Sequence, residues 1–577
     1  MRRGNYLDFV MLDFQLGLLS LAAALKKDHY KVELTDLAWL IRKKQLTISN
    51  SFSLNAAKFI VRQNIDILGF NTRCDSYPVV LNIARRCKQL NPNSTIILGG
   101  PQATLTDVET LRTFPFVDII VRGEGEATIL ELINKLSNKW DLKDTAGITY
   151  RKDGQIIRNK ERELIRDLDS IPLPAYHLMD KYLSGYNKLK DALVYICVGR
   201  GCPYRCAFCA TGVMWRRLFR LRRPENILEE IELLNKKYGI NKFDFGHDHF
   251  LLDRRFVKKI CNLLLARGIN INWSCSSRLH AVGPVLLKKM AQAGCRDIYF
   301  GIESGSAQIQ KVIRKNLNLS LIPKIIKECE KYNIYLRMSF VIGFPQERHK
   351  DIDATLRLIL KYTVICRNYI YFQLHLFAPM AGTILFEENQ DRLVFTGFWS
   401  RVSEGPMIRI KENIHLIKKH PMLFSNFYFV KPGYVTANFL YKTAKTFLNL
   451  LYTYPLSFYM ATKELNLTPS EITTSMDRWA RKRNLVSNSS LSVFSLQEVT
   501  RYFPVFLKAI YRNNKTSFKF LSHIIQAERN LCQKYLKESN RIVGRLEMFK
   551  EAIPEARNPF LKNYHELKMP KTSRLNS

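Results

Sequence analysis

A chain of 577 residues is too long for one hydrophobic core, so two or three domains are expected. Twelve cysteines are too few for a disulfide scaffold and fit reduced thiols in a cytoplasmic protein. The formal charge of +38 suits nucleic acid, an anionic membrane face or an acidic substrate, yet no aromatic-interleaved basic motif accompanies it. A generally basic surface is the preferred reading, no nucleic acid is expected, and peripheral membrane contact stands second.

An apolar stretch at 16–25 behind Arg2 and Arg3 imitates a signal peptide, but Asp8 and Asp13 interrupt the approach, and it reads as the first helix of a domain. A poorly formed strand is expected before it at 7–12. Buried strands follow at 65–70, at 94–98 ending in Gly99-Gly100-Pro101, and at 117–121 ending in Arg122-Gly123-Glu124-Gly125-Glu126. Amphipathic helices lie between and after them, one at 79–88 and one carrying Leu130, Leu132 and Leu136. Strand–glycine–helix repeats over 1–136 predict an α/β unit, a parallel sheet wound with helices that takes ligands at the carboxyl ends of its strands. Residues 137–190 read as a connector, with a hairpin at 145–157 turning at Asp153-Gly154 and a proline-stiffened piece at 168–174.

From 191 to 390 strands are expected at 193–199, 242–245, 271–274, 297–300, 337–342 and 371–375, with helices such as 225–238 and 351–362 between them. Six such units predict a partial α/β barrel with its chemistry at the carboxyl-end mouth. The basic run Arg216 to Arg223 reads as a solvated loop, with a clamp for an anionic substrate as the sharper alternative. Residues 391–577 are helix-rich, with Phe427, Tyr428, Phe429 and Trp479 as aromatic anchors, and hold much of the excess charge: 29 basic against 12 acidic residues from 401 onward. The uncharged run 446–462 contains Pro455 and is short for a membrane span, so it reads as buried helices or an apolar substrate lid.

The most informative feature is Cys202, Cys206 and Cys209 in one loop, Gly-Arg-Gly-Cys-Pro-Tyr-Arg-Cys-Ala-Phe-Cys. Three thiolates on a [4Fe–4S] cluster leave one iron open for a small molecule. The alternatives are a structural zinc loop, for which His247 and His249 are the nearest histidines, or three unrelated thiols. The spacing, with Phe208 before the last cysteine, resembles the signature of the radical S-adenosylmethionine enzymes. That resemblance implies a partial barrel, S-adenosylmethionine on the open iron, and its reductive cleavage to a 5′-deoxyadenosyl radical.

The residues at the predicted mouth follow strand by strand. Asp248 lies in Gly246-His-Asp-His-Phe250, where relatives show paired acids. Arg278 offers a guanidinium to a carboxylate, and Glu303-Ser304 resembles the ribose-contacting stretch. Gly343 in Gly-Phe-Pro-Gln-Glu347 resembles the stretch that supports adenine. With Phe208 these are the candidate S-adenosylmethionine contacts; the plainer alternatives are an Arg278–Glu303 rim pair and a simple chain turn at Gly343.

Gly17-Leu18-Leu19, Gly69-Phe70-Asn71-Thr72, Gly99-Gly100-Pro101 and Gly123-Glu124-Gly125-Glu126, in that order ahead of the cysteine loop, resemble the cobalamin-binding domain of one large subfamily. The resemblance implies a flavodoxin-like domain with cobalamin contacts at Gly69, Asn71, Thr72, Gly99, Gly100, Gly123, Glu124, Gly125 and Glu126. No Asp-x-His-x-x-Gly motif is present, which implies cobalamin without a protein histidine on cobalt. An empty domain is the alternative. The implied function is methylation of an unactivated carbon of a small-molecule or lipid-like substrate, fed by an electron donor such as flavodoxin or ferredoxin. Radical ring rearrangement or oxidative cyclisation and a non-catalytic cobalamin or redox sensor are the alternatives.

Overall fold

Alternation of β-rich runs with amphipathic stretches dictates the layers. The computed structural model describes residues 14–538 except 64, 185–191, 367–369, 398–409, 432–433, 486–493 and 512–514, so the strand expected at 7–12 lies outside the described residues. In the N-terminal sheet β1 (Ile67–Asn71), β2 (Thr95–Gly99) and β3 (Ile119–Val121) run parallel in that order. Successive side chains of a strand face opposite sides. Ile96 and Leu98 therefore pack into one core with Leu81, Ile83 and Cys87 of the helix Tyr77–Leu90, while Ile97 joins Leu132, Leu21 and Leu25 on the other side. Helices thus cover both faces, as the doubly wound reading expects.

The hairpin differs from its placement in a connector. β4 (Ile148–Lys152) and β5 (Gln155–Arg158) extend the first sheet antiparallel beyond β3. Its turn is as expected: Asp153 and Gly154 have φ of 48° and 77°, the left-handed pair that a two-residue hairpin loop favours.

The central sheet holds six parallel strands in the order β13-β12-β11-β10-β9-β6, where β6 is Leu193–Cys197, β9 Lys242–Gly246, β10 Asn272–Ser277, β11 Cys295–Glu303, β12 Tyr335–Ile342 and β13 Ile370–Leu376. Among the described residues β6 and β13 end the order without pairing, which leaves the barrel open on one side. The short strands β7 (Gly199–Arg200) and β8 (Arg220–Leu221) form an antiparallel ribbon after β6. The basic run is a solvated loop only in part: Arg216, Arg217 and Arg223 are exposed, whereas Arg220 is buried and Arg222 forms an ion pair with the buried Glu230.

Pro455 divides the uncharged run into the helices Ala437–Thr453 and Pro455–Glu464, whose Leu450, Leu451 and Phe458 are buried. No described helix is long and apolar enough to cross a membrane. The C-terminal region also ties the other two units together. Asn82 of the first domain donates to Asn413 at 2.7 Å, Gln102 to the Leu423 carbonyl at 3.0 Å, and Ser425 to the Pro379 carbonyl at 2.8 Å. β14 (Leu393–Val394) and β15 (Phe429–Val430) close a small ladder beside these contacts.

Glycine is required at one turn of the first domain. Gly100 has φ of 97°, and a β-carbon there would lie 2.5 Å from Asn71 Oδ1 and 2.6 Å from the Thr72 carbonyl oxygen. Gly123 is left-handed too (φ 69°), but an added carbon meets nothing within 4 Å. Gly100→Ala should therefore cost about 3 kcal/mol or more, and Gly123→Ala about 1 kcal/mol. Urea denaturation reads both, and equal losses would contradict this account.

Candidate functional site

The cysteine loop leaves β7 and is held from three sides. Ala207 donates its N–H to the Ile313 carbonyl at 2.9 Å and accepts from Leu385 N–H at 3.0 Å, while the Asp248 carboxylate accepts from Gly201 N–H at 3.1 Å and from the Thr211 hydroxyl at 3.2 Å. Asp248, a candidate S-adenosylmethionine contact, thus positions the loop that bears the thiols. Cys202, Cys206 and Cys209 are half-buried free thiols. Burial pushes the Cys202 thiol up to about 11, with Asp248 and the other two cysteines adding to the rise, so metal must displace its proton. Among the described residues no three His, Cys, Asp or Glu side chains converge on a single-ion site. In a cubane each thiolate takes its own iron, so the three thiols need not converge on one point.

Around the loop lies a cationic and aromatic wall. The Arg278 guanidinium sits 3.9 Å from the Tyr204 ring centre, with Nη1 3.6 Å from Cys206 Sγ and Nη2 on the Lys315 carbonyl. Its Nε is buried with no hydrogen-bond partner among the described residues, which leaves a donor for an anionic ligand group. Glu303 accepts from Lys315 Nζ at 2.5 Å, so Lys315 stands between the two residues that the rim-pair alternative would join directly. Glu303 is itself left-handed (φ 68°) and sits where the β11–β12 register shifts. Phe208 packs edge-on against Phe344, with ring centres 5.9 Å apart. The Ser304 hydroxyl is fully buried, accepts from Ser306 N–H at 3.1 Å and lies 3.3 Å from Thr355 Oγ1, which makes it a brace of the turn. His247 and His249 are buried, and burial lowers them to about 4 and about 3, so both imidazoles are neutral at ordinary pH.

Gly343 is backed by Glu347, whose Oε2 accepts N–H bonds from Gly343 at 2.5 Å and Phe344 at 3.3 Å. Burial pushes this carboxyl from 4.5 up to about 8, against those two bonds. The folded state then keeps a proton that the unfolded chain releases, so stability is lost as pH rises from 4.5 to 8. Glu347→Gln cannot ionise. Its stability relative to wild type should rise across that window, by up to about 1.4 kcal/mol per pH unit. Denaturation of both proteins at the two ends of the window reads it, and parallel pH profiles would refute it.

The first domain has Gly69 in the middle of β1 and presents Gly99, Gly100, Gly123 and Gly125 at the carboxyl ends of β2 and β3. No β-carbon at Gly69 or Gly123 would meet an atom within 4 Å, which leaves open backbone for a large planar ligand. Thr72 is committed to the fold: its hydroxyl donates to the Gly99 carbonyl at 2.8 Å and accepts from Ala103 N–H at 2.9 Å. Asn71 ends β1 with its Oδ1 against Gly100, and Gly99 ends β2 beside Val121. Gly125 sits over Leu21, so an added carbon would come 2.9 Å from Leu21 Cδ2. Glu124 and Glu126 point away from a purely ligand-binding role. Glu124 accepts from Arg200 at 2.6 Å, Arg220 at 2.9 Å and Ile165 N–H at 2.7 Å, and Glu126 accepts from Arg200 at 2.6 Å and Ser20 at 3.0 Å.

The sequence reading missed Arg200, Tyr204, Lys315 and Thr211 as site residues. Arg200, Tyr204 and Thr211, inside or within two residues of the cysteine triplet, carried a positional signal; Lys315 carried none.

Comparison with known proteins bears on both halves. A profile described as the radical SAM superfamily matches residues 196–359, and one described as the B12 binding domain matches residues 14–133. An uncharacterized methyltransferase of Pyrococcus horikoshii is 31% identical over 402 residues, spanning 69% of this chain and 83% of the relative. An anaerobic magnesium-protoporphyrin IX monomethyl ester cyclase of Synechocystis is 29% identical over 298 residues, 51% of this chain and 59% of that protein. Among solved structures, the cobalamin-dependent S-adenosylmethionine radical enzyme OxsB, with aqua-cobalamin and S-adenosylmethionine bound, shares the fold over 92% of this chain and 78% of its own (TM-score 0.57, 15% identity). The radical S-adenosylmethionine methyltransferase TsrM of Kitasatospora setae does so over 65% and 73% (TM-score 0.53, 17% identity). With a three-thiol loop at the mouth of a partial barrel and a glycine-lined sheet edge beside it, the chain belongs to the cobalamin-dependent radical S-adenosylmethionine enzymes, the family of its methyltransferase relatives.

Proposed function

We propose that the protein methylates an unactivated carbon of a small-molecule substrate. The observation that supports this most is the direct joining of the two cofactor elements: Arg200, two residues before Cys202, is bonded to Glu124 and Glu126 in the turn after β3. When bound, the cluster and S-adenosylmethionine supply one-electron cleavage, and cobalamin supplies a transferable methyl group. The chain's own part is to hold these groups and shape the space between them. Cys202, Cys206 and Cys209 hold the cluster. Arg278 offers Nε to the carboxylate of S-adenosylmethionine, Glu303 takes its ribose hydroxyls, and the Gly343 backbone, braced by Glu347, supports adenine. Gly69 within β1 and the glycines at the ends of β2 and β3 would let cobalamin approach the backbone, with no side-chain imidazole offered by a motif in the first domain. A flavodoxin- or ferredoxin-like protein supplies electrons.

The test is anaerobic reconstitution with iron, sulfide, hydroxocobalamin and S-adenosylmethionine, together with mass spectrometry of metabolites from cells with and without the gene. Cobalamin absorbance on the purified protein and a metabolite gaining one methylene mass are expected. A protein that never takes up cobalamin, or a metabolite that loses hydrogens and gains no carbon, would sink the methylation reading; the second outcome would favour the cyclisation seen in the name of the Synechocystis relative.

A further inference from the structure

Two arginines face each other across the β7–β8 ribbon: Arg200 pairs in register with Arg220. Like charges placed directly opposite on a ladder repel and destabilise it. Here a carboxylate from another domain resolves the conflict. Glu124 Oε1 accepts from Arg200 at 2.6 Å and Arg220 at 3.0 Å, and its Oε2 accepts from Arg220 at 2.9 Å. Glu126, at the first turn of the helix Glu126–Ser137, takes the other end of Arg200 at 2.6 Å. Trp215 lies against both guanidinium groups, each 5.8 Å from its ring centre. Two positive and two negative charges therefore close a neutral cluster, with side-chain exposures of 16% or less.

We infer that this cluster is a positioning latch, in which Arg200 and Arg220 fix the three-cysteine loop at a set distance from the cobalamin-binding turn of the first domain. A buried ion-pair network adds little net stability over an apolar contact of similar size, and geometry is what such a network can supply. The fork of Arg200 makes one bond to Glu124 and two to Glu126, the longer at 3.5 Å, which defines direction as well as distance. Burial alone would raise the Glu126 carboxyl, yet Arg200 holds it below the ordinary carboxylate range, so the pair stays charged at neutral pH. The link onward to the thiols is stiff. A β-carbon at Gly199 would lie 2.4 Å from the Arg220 carbonyl oxygen, and Gly201 N–H is tied to Asp248. A shift of the turn after β3 is thereby passed through Arg200 to Cys202 instead of being absorbed by slack loop.

The inference rests on the cobalamin reading of the first domain, and its test separates the two. Arg200→Lys, Arg200→Gln and Glu126→Gln are made in the full chain reconstituted with cluster and hydroxocobalamin. Pulsed electron paramagnetic resonance between the reduced cluster and cob(II)alamin reads their separation. Hydrogen exchange of the peptide 199–209 reads loop restraint without any need for cobalamin. Glu126→Gln, a change in the first domain, should broaden the distance distribution and speed exchange in the cysteine loop of the other domain about tenfold. Arg200→Lys should fall between wild type and Arg200→Gln, and Arg200→Gln with Glu126→Gln should add little to either alone. Unchanged exchange and distance in both Gln variants, or fully additive effects, would overturn the latch. Wild-type protein that binds no cobalamin would overturn the functional reading, while the exchange arm still decides the latch.

Discussion

Cys206→Ala should yield a folded protein that carries little cluster and cleaves no detectable S-adenosylmethionine, a loss of more than about a thousandfold. Cys206 is half-buried in a loop whose backbone is fixed by Ala207 bonds on both sides, so removing one sulfur leaves the loop path intact. What goes is one of three thiolates: His247 and His249 nearby are buried, and the Asp248 carboxylate is engaged by Gly201 N–H and the Thr211 hydroxyl. Arg278 Nη1, now 3.6 Å from Cys206 Sγ, is left beside a methyl group. Iron and sulfide content with chromatography of 5′-deoxyadenosine under strong reductant reads the effect. Cys87→Ala, deep in the helix Tyr77–Leu90, is the control and should keep its iron at a stability cost of about 1 kcal/mol. Wild-type cleavage by Cys206→Ala would end the cluster assignment.

Gly201→Ala should damage the same site through the backbone. Gly201 has φ of 92°, and a β-carbon would fall 2.0 Å from the Leu218 carbonyl oxygen, inside any tolerable contact. The left-handed angle costs an alanine about 1 kcal/mol, and the clash adds several more, because Leu218 cannot withdraw without parting β7 from β8. An overall loss on the order of 4 kcal/mol is expected, with iron content falling as the loop leaves its path. Gly212→Ala is the matched comparison: its added carbon meets nothing nearer than 3.7 Å, and its stability should stay near wild type. Similar stability and iron loading in the two variants would show that the ribbon is softer than its packing implies.

The cysteine loop and the glycine turns were legible because their constraints are local. Three thiols within eight residues, or a glycine pair closing a strand, carry their geometry in adjacent positions. The buried strand at 94–98 was legible for the same reason. The latch was not. Arg200 and Glu124 lie 76 positions apart, and each alone reads as an ordinary surface charge. The basic run misled because a count of arginines says nothing about partners; Glu124, Glu230 and Asp169, the acids that take Arg220, Arg222 and Arg223, are supplied by the fold. The hairpin was recognised but assigned to a connector, since sheet membership depends on pairing with β3, which turn chemistry does not reveal. Lys315 lacked any motif, and the C-terminal helices offered periodicity without chemistry.

An unclosed barrel carries a liability at its rim. Among the described residues β13 has a paired neighbour only in β12, and an exposed strand edge of this kind is a template for pairing with another chain. The helix Ala437–Thr453 lies there: Tyr452 donates its hydroxyl to the Phe372 carbonyl at 3.3 Å and stacks on Tyr371, ring centres 6.3 Å apart. The helical region thereby covers part of this edge.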